Sequence, residues 1–439
     1  MINDYREGNA NAARAKFISV ILRKWLYAAA VLLLMIVNPL AAQETGGEQK
    51  LQPFVDFLDR EGRDPLALVL DQIKSYDLLI FDDAWHPALE PFQFYQQLVE
   101  TPAFYEQVKY IFVEVFSVSQ QMNLDAYFTA EREDQTLLFP VFQNDFSGEG
   151  WPLKTYFDLM HAIYRANQEL PEQQRLRVVA VNSPTYWPAI QSPNDLALFR
   201  KSLIGNDYTM YRIILDEMGG FGEGRKGIFL TNTRHAYKGI KDKSGQYFWN
   251  CGTFFHQWHP GKTYSIRFHH LALSVEKEIV PDAGTARSTA GMERYAYRWV
   301  RMADGLWDSA FEARGNRPVA FSLKDNVLGA TAYTGNQVHK AAPGQTMYDA
   351  NDAVIFLAPL ESLHNTAMVD IIYTETFKQE LARRYRILYN DTQLKQQFER
   401  DGVDNLEALV EKNCLARPAA LIPQAQTLPP ADAWKRPRN

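Results

Sequence analysis

Three short apolar runs in this chain each give way to ionisable side chains, and this placement constrains what the chain can become. Leu78, Leu79, Ile80 and Phe81 lead to Asp83 and His86; Tyr110, Ile111, Phe112 and Val113 lead to Glu114; Gly227, Ile228, Phe229 and Leu230 lead to His235. Each run reads as a strand. In an open parallel α/β sheet the carboxyl ends of the strands converge on one edge, where ligands usually bind. The pattern therefore predicts a shared site built from Asp83, His86, Glu114 and His235.

The rest of the chain alternates in the way such a sheet needs. Asp64 and Pro65 signal the start of a helix carrying Leu66, Leu68, Val69, Leu70 and Ile73. Helical patterns are expected over 91–99, 120–129, 153–170 and 207–218, and further strands over 176–181, 263–268, 319–323 and 353–357. Strands and helices in alternation imply βαβ units. The expected class is α/β, a mostly parallel central sheet flanked by helices, with a helical insertion near the C-terminal half. Residues 274–318 break the rhythm with Arg, Gly and small side chains, and a helix-like stretch from Met292 to Met302 suggests a lid or insertion over the strand ends. One main domain is expected over 43–415. From 416 to 439, Pro418, Pro423, Pro429, Pro430 and Pro437 among small and polar residues predict an extended or disordered tail. Nothing resembles a short-period repeat, which argues against a solenoid or propeller.

Residues 1–42 read as a targeting segment. Arg6, Arg14, Lys16, Arg23 and Lys24 precede an apolar stretch from Leu26 to Val37, closed by Asn38, Pro39, Leu40, Ala41 and Ala42. This is a signal-peptide pattern with a long basic leader, and it predicts a periplasmic or secreted protein cleaved after Ala42. An uncleaved anchor is the competing reading, but the apolar run is shorter than the roughly 20 residues a membrane span needs. No stable membrane span is expected after cleavage. The formal charge is −6, and the basic residues outside the leader form no cluster, so nucleic acid is a poor partner and a small-molecule substrate is expected. Cys251 and Cys414 are the two cysteines. They make no zinc motif, and in an oxidising compartment they either pair or stay free.

Asp83 and His86 are three residues apart, so a turn or helix at the strand end places both side chains on one face. A carboxylate beside an imidazole raises its basicity and fixes its tautomer, which suits a general base or a metal ligand. Glu114 supplies a second carboxylate, and His235 an acid, an oxyanion donor or a further ligand. His86, His235 and Glu114 would serve a divalent metal, yet the same groups polarise water without one. Ordinary explanations exist for single members: an Asp after a strand is often a helix cap, and a lone histidine is more often structural. Glu114 differs, since an unpaired carboxylate in so apolar a segment would be costly. Joint placement is what raises the four above those explanations.

At these residues the chain resembles the erythromycin esterase superfamily, whose relatives include ChaN-like haem-binding proteins and, more distantly, Tiki-type metalloproteases. The family pattern is a strand followed by Gly-Glu-x-x-His, a later strand ending in Glu, and a downstream strand leading to His. Phe81, Asp82, Asp83, Ala84, Trp85, His86 keeps the histidine, with Asp83 in place of the Glu and Asp82 in place of the glycine. Glu114 and His235 match the other two elements. The surroundings are similar to an uncharacterised bacterial branch: Arg165, Ala166 and Asn167 in one helix, a strand from Arg177 ending at Asn182 where a carboxylate is common, and the run from Ala353 to Pro359. The resemblance covers most of residues 65–365. It implies a metal-independent esterase mechanism in which His86 activates water and Glu114 and His235 assist. The shorter carboxylate at Asp83 moves its oxygens by more than about an ångström, which implies a changed substrate, a changed metal preference or lost activity.

Three functional readings follow. The first is an exported hydrolase that cleaves an ester, lactone or amide bond with His86 as general base. The second is a haem- or metal-binding envelope protein, for which His256, His259, His269 and His270 are candidate ligands, although Phe254, Phe255 and Trp258 beside them favour core packing. The third is a catalytically inactive relative kept as a scaffold. Trp85, Phe92, Phe94, Tyr95 and Trp151 lie near the predicted site in sequence and suit a small-molecule cleft or a core equally. Gly219, Gly220, Gly222 and Gly224 precede a strand, so they form a flexible turn rather than a dinucleotide fingerprint.

Overall fold

The computed structural model describes residues 49–278, 294–415, 420–421, 432 and 434. Five strands come first in the chain: β1 (Leu78–Asp82), β2 (Tyr110–Ser117), β3 (Arg177–Asn182), β4 (Gly227–Thr231) and β5 (Thr263–Phe268). A hairpin of β6 (Ala272–Glu278) and β7 (Arg294–Val300) forms a sheet of its own, and β8 (Val319–Ser322) and β9 (Ala353–Phe356) complete the main one. The order in the main sheet is β3-β2-β4-β1-β5-β9-β8, parallel throughout except for β8, which runs antiparallel along β9. This is the α/β class expected from the sequence.

Continuous apolar runs belong in such a sheet because helices cover both faces. Alternate residues point to opposite layers. Leu79, Phe81, Ile111, Val113, Ile228 and Leu230 pack with Leu68 and Ile73 of the helix Pro65–Ser75, Phe92 and Tyr95 of Leu89–Val99, and Leu159 and Ile163 of Lys154–Gln168. On the other face Leu78, Ile80, Phe112, Val179 and Phe229 meet Met210 and Ile214 of the helix Asn206–Glu217 and Phe255 of Cys251–Trp258. Full burial of each such side chain stabilises the fold by roughly 1.5–3 kcal/mol relative to exposure. A third cluster joins Phe57 and Leu58 of the helix at 49–61 and Trp307 and Phe311 of Leu306–Ala313 to Phe321 of β8 and Val354 of β9. The predicted helix start is made as expected: Pro65 opens the helix and the Asp64 side chain accepts from the Ala67 N–H at 2.9 Å.

Register sets the height of the site. Asp82 of β1 lies opposite Thr231 of β4 on one side and Arg267 of β5 on the other. Val113 of β2 pairs with Leu230 of β4, so Glu114 reaches the same level. β2 stays in step with β3 as far as Val113 and Ala180, then shifts so that Ser117 meets Asn182. Such irregularities re-aim side chains near strand ends. The Asn182 side chain fills this one, its Nδ2 donating to the Glu114 carbonyl at 2.8 Å.

One expected element is corrected. Within the expected helix from Met292 to Met302 the described residues form a strand: β7 begins at Arg294 and pairs antiparallel with β6, a 3-10 turn follows at Met302–Gly305, and the next α-helix is Leu306–Ala313. Tyr295, Tyr297 and Trp299 alternate in the sequence, the period of a strand rather than of a helix. Ala420–Leu421 of the Pro-rich segment pair antiparallel with His364–Asn365; the remainder of that segment, and the leader, lie outside the described residues. Among the described residues no helix is long and apolar enough to cross a membrane. Cys251 and Cys414 are both buried and free.

Candidate active site

The turn after β1 makes the first pair. Asp82 anchors it: Oδ1 accepts from the Ala84 N–H at 2.8 Å and from the Thr233 hydroxyl at 2.9 Å, while Oδ2 accepts from Arg267 Nη1 at 2.7 Å. Ala84 is held at φ 59°, a left-handed conformation that costs a non-glycine residue roughly 1–2 kcal/mol. The turn carries the Asp83 Oδ2 to 2.8 Å from His86 Nδ1. The Tyr156 hydroxyl, from the helix Lys154–Gln168, stands 2.9 Å from the same nitrogen.

Glu114 is the centre of the arrangement. Its Oε2 accepts from the Thr231 hydroxyl at 2.9 Å and lies 3.4 Å from His86 Nε2; its Oε1 lies 3.3 Å from His235 Nε2. His235 is backed on its far side by Asp207, at 2.7 Å from Nδ1. Asp207 opens the helix Asn206–Glu217 and also accepts from the Cys251 N–H at 2.8 Å. The result is an alternating series, Asp83, His86, Glu114, His235, Asp207, threaded across the ends of three strands. The structure thus brings together all four residues picked out in the sequence, and adds Asp207, Tyr156 and Asn232.

Charges in this series depend on one another. Burial disfavours ionised Glu114, but His235 and His86 outweigh it and hold the carboxyl well below its ordinary pKa. Burial likewise opposes the His86 cation, yet Asp83 and Glu114 push its pKa up to about 10. Glu114 and Asp207 raise His235 against its burial to about 9. Asp83 moves the other way for an acid: burial raises it to about 6, with His86 only partly restoring the ionised form. Burial, then the Asp83 and Glu114 charges, push the Tyr156 hydroxyl well above its usual range, so it stays neutral.

Asn232 qualifies the state of His86. Its Oδ1 caps the short helix Thr233–Ala236 by accepting from the Arg234 N–H at 2.9 Å, which turns Nδ2 towards His86 Nε2 at 2.7 Å. An amide donor suits a bare ring nitrogen, whereas Glu114 on the same nitrogen suits a protonated one. The electrostatic pull of two carboxylates favours the cation at rest, and Asn232 is ready to satisfy the neutral ring. Nε2 is therefore the atom at which a proton can come and go.

The two Nε2 atoms address different oxygens of Glu114, and among the described residues no group of three or more His, Cys, Asp or Glu side chains is arranged to hold a metal ion. The other histidines are dispersed. His259 Nε2 meets the Tyr211 hydroxyl at 2.8 Å, His269 lies 3.3 Å from Asp308, and burial drives the His270 pKa down to about 3. His256 is lowered by burial in the helix Cys251–Trp258.

No family model matches the sequence, and no curated protein matches it. Solved structures with a similar fold include a protein from Bacillus cereus at 13% identity, covering 70% of this chain and 97% of its own, with a TM-score of 0.44. A succinoglycan biosynthesis protein aligns at 9% identity over 70% of this chain and 96% of its own, TM-score 0.43. A variant of the erythromycin esterase EreC, in its open conformation, aligns at 10% identity over 66% of this chain and 92% of its own, TM-score 0.39. None of these three exceeds 13% identity, so the chemistry must come from the site's own geometry.

A cleft of about 220 Å³ is bordered by Trp85, Asn232, Arg234, Arg267, Trp299 and Asn336, with Asn232 as the wall between it and His86. Trp151 packs edge-on against the His86 ring, centroids 5.3 Å apart, closing another side. A larger cavity at Phe57, Arg63, Gln72 and Tyr264 contains none of these groups.

Proposed function

We propose that this protein is a hydrolase that cleaves an ester, lactone or amide bond with water activated by His86. The observation that carries the reading is one buried carboxylate, Glu114, set between two imidazoles that are each backed by a second carboxylate. In the neutral ring Asp83 fixes the proton on Nδ1, leaving Nε2 to take a proton from water. The water oxygen bonds to the acyl carbon, its proton passes to Nε2, and the carbonyl electron pair moves onto oxygen. Asn232 Nδ2, at the boundary of cleft and base, is the donor placed to hold that oxygen. Collapse expels the alcohol or amine, which takes the proton back from His86. Glu114 stabilises the imidazolium formed midway, and His235 keeps Glu114 ionised and in position. The basic leader and apolar stretch of residues 1–42 support an exported location.

Reactive His86 is the neutral form, and its pKa of about 10 makes that form a minor species at neutral pH. Hydrolysis should therefore rise with pH from neutrality and level off near 10. The test is a screen of 4-nitrophenyl and lactone esters against the purified protein and His86→Ala. Loss of a general base should cost about 10²–10⁴-fold in kcat/KM. An active protein whose rate survives His86→Ala has its base elsewhere, and the assignment fails.

A further inference from the structure

The cleft beside His86 carries positive charge that hydrolysis itself does not use. Arg234 is exposed on its border, and among the described residues no carboxylate pairs with it. Arg267 also borders the cleft; its Nη1 is committed to Asp82, but its Nε is buried with no hydrogen-bond partner among the described residues. A buried donor without a partner is costly unless something else meets it. The same cleft is bordered by Trp85 and Trp299, which stand edge to face with ring centroids 5.5 Å apart, and Trp85 is fixed by its Nε1 donating to Asn365 Oδ1 at 2.9 Å. The cleft thus joins a cationic border, an aromatic wall, and the Asn232 amide that leads to the base.

We infer that the cleft takes an acyl compound bearing an anionic group, held by the Arg234 guanidinium, with its apolar part against Trp85 and its carbonyl at Asn232. The inference rests on the hydrolytic reading for what happens to the carbonyl, but the binding stands independently of it. A guanidinium makes short, charge-assisted bonds to carboxylate, phosphate or sulfate oxygens. The substrate class is set by that charge. A neutral or cationic ester of the same shape lacks the contact and is discriminated against.

Benzoate and the isosteric neutral benzamide are the probes, with binding read by tryptophan fluorescence and calorimetry on the wild type, Arg234→Gln, Arg234→Glu and His86→Ala. Benzoate should bind about tenfold more tightly than benzamide, as expected for a charge-assisted contact, and Arg234→Gln should remove that difference while leaving benzamide unchanged. Arg234→Glu should reverse the preference towards benzylammonium. Arg234 is exposed, so these variants should keep the wild-type circular dichroism and melting temperature. Equal binding of benzoate and benzamide, no binding of either, or benzoate selectivity that survives Arg234→Gln would each overturn the inference. Selective, Arg234-dependent binding that persists in His86→Ala, in a protein that hydrolyses no ester, would uphold the anion site and sink the hydrolase reading instead.

Discussion

The two imidazole arms that meet at Glu114 look alike in outline and differ in surroundings. On one arm Asp83 is almost wholly buried at 1% exposure, Tyr156 crowds the shared nitrogen, and Asn232 separates the ring from an open cleft. On the other, Asp207 keeps 26% of its side chain in solvent and is tied to the backbone of the next helix through the Cys251 N–H. The second arm thus touches solvent through Asp207, and its imidazole is raised less, to about 9. The first arm is the more strongly charged of the two, with His86 raised to about 10, while burial lifts Asp83 to about 6. Similar pairs thus differ in access: Asn232 places His86 beside the cleft.

Several substitutions would break that contrast. Glu114→Leu should have the largest effect on stability: two buried cations lose the charge between them, and breaking a buried ion pair typically costs about 3–5 kcal/mol. Urea unfolding measures it, and a loss no larger than that of a surface substitution would show that the arms do not meet in solution. Between the arms, His86→Ala should lower kcat/KM about 10²–10⁴-fold, whereas His235→Ala should lower kcat about 10–100-fold, because it acts by positioning Glu114. Steady-state kinetics on the pair decides which arm reacts; a larger loss at His235 inverts the comparison.

Titration sharpens it further. His86 moves from an ordinary 6.5 to about 10 on folding. Since the folded value lies above the unfolded one, its stabilisation is complete below 6.5 and is lost as pH rises through about 10. The urea midpoint should fall across that window, and the fall should shrink in His86→Ala; an unchanged pH profile would mean that the ring is not charged in the fold. Asp83→Asn should lower the His86 pKa seen by NMR more than Asp207→Asn lowers that of His235, because the buried charge is less screened. The smallest effect belongs to the turn. Ala84→Gly relieves a left-handed φ of 59° and should raise stability by about 0.5–1 kcal/mol, the strain relieved minus the entropy glycine adds to the unfolded chain.

Asp83, His86, Glu114 and His235 were legible because each ends an apolar run, and the parallel sheet turns such endings into neighbours. Asp207 was not, since an acid in the first turn of a helix looks like any other helix-start carboxylate. Asn232 carried a signal, an Asn before a short helix, but the same signal marks an ordinary cap; only the free end of its amide, aimed at His86, distinguishes it. Tyr156 reads as one more aromatic on the apolar face of an amphipathic helix. The strand β7 was not legible because its Arg-rich surroundings mask the alternation of Tyr295, Tyr297 and Trp299. Asp82, at the position where the resembled family carries glycine, turned out to be the anchor of the turn through Arg267, Thr233 and Ala84.

The position of β4 has a consequence for how the protein is made. β1 and β2 emerge early in synthesis, yet they are not neighbours; β4 lies between them. Its Thr231 bonds the Glu114 carboxylate, its carbonyl accepts from the Asp83 N–H at 2.9 Å, and the residues that follow it supply Asn232 and His235. Pairings between segments so distant in sequence form late, because the loop between them must close first. A nascent or truncated chain ending before residue 227 would therefore hold Asp83, His86 and Glu114 without the strand that orders them, and the site would assemble only once the sheet had closed.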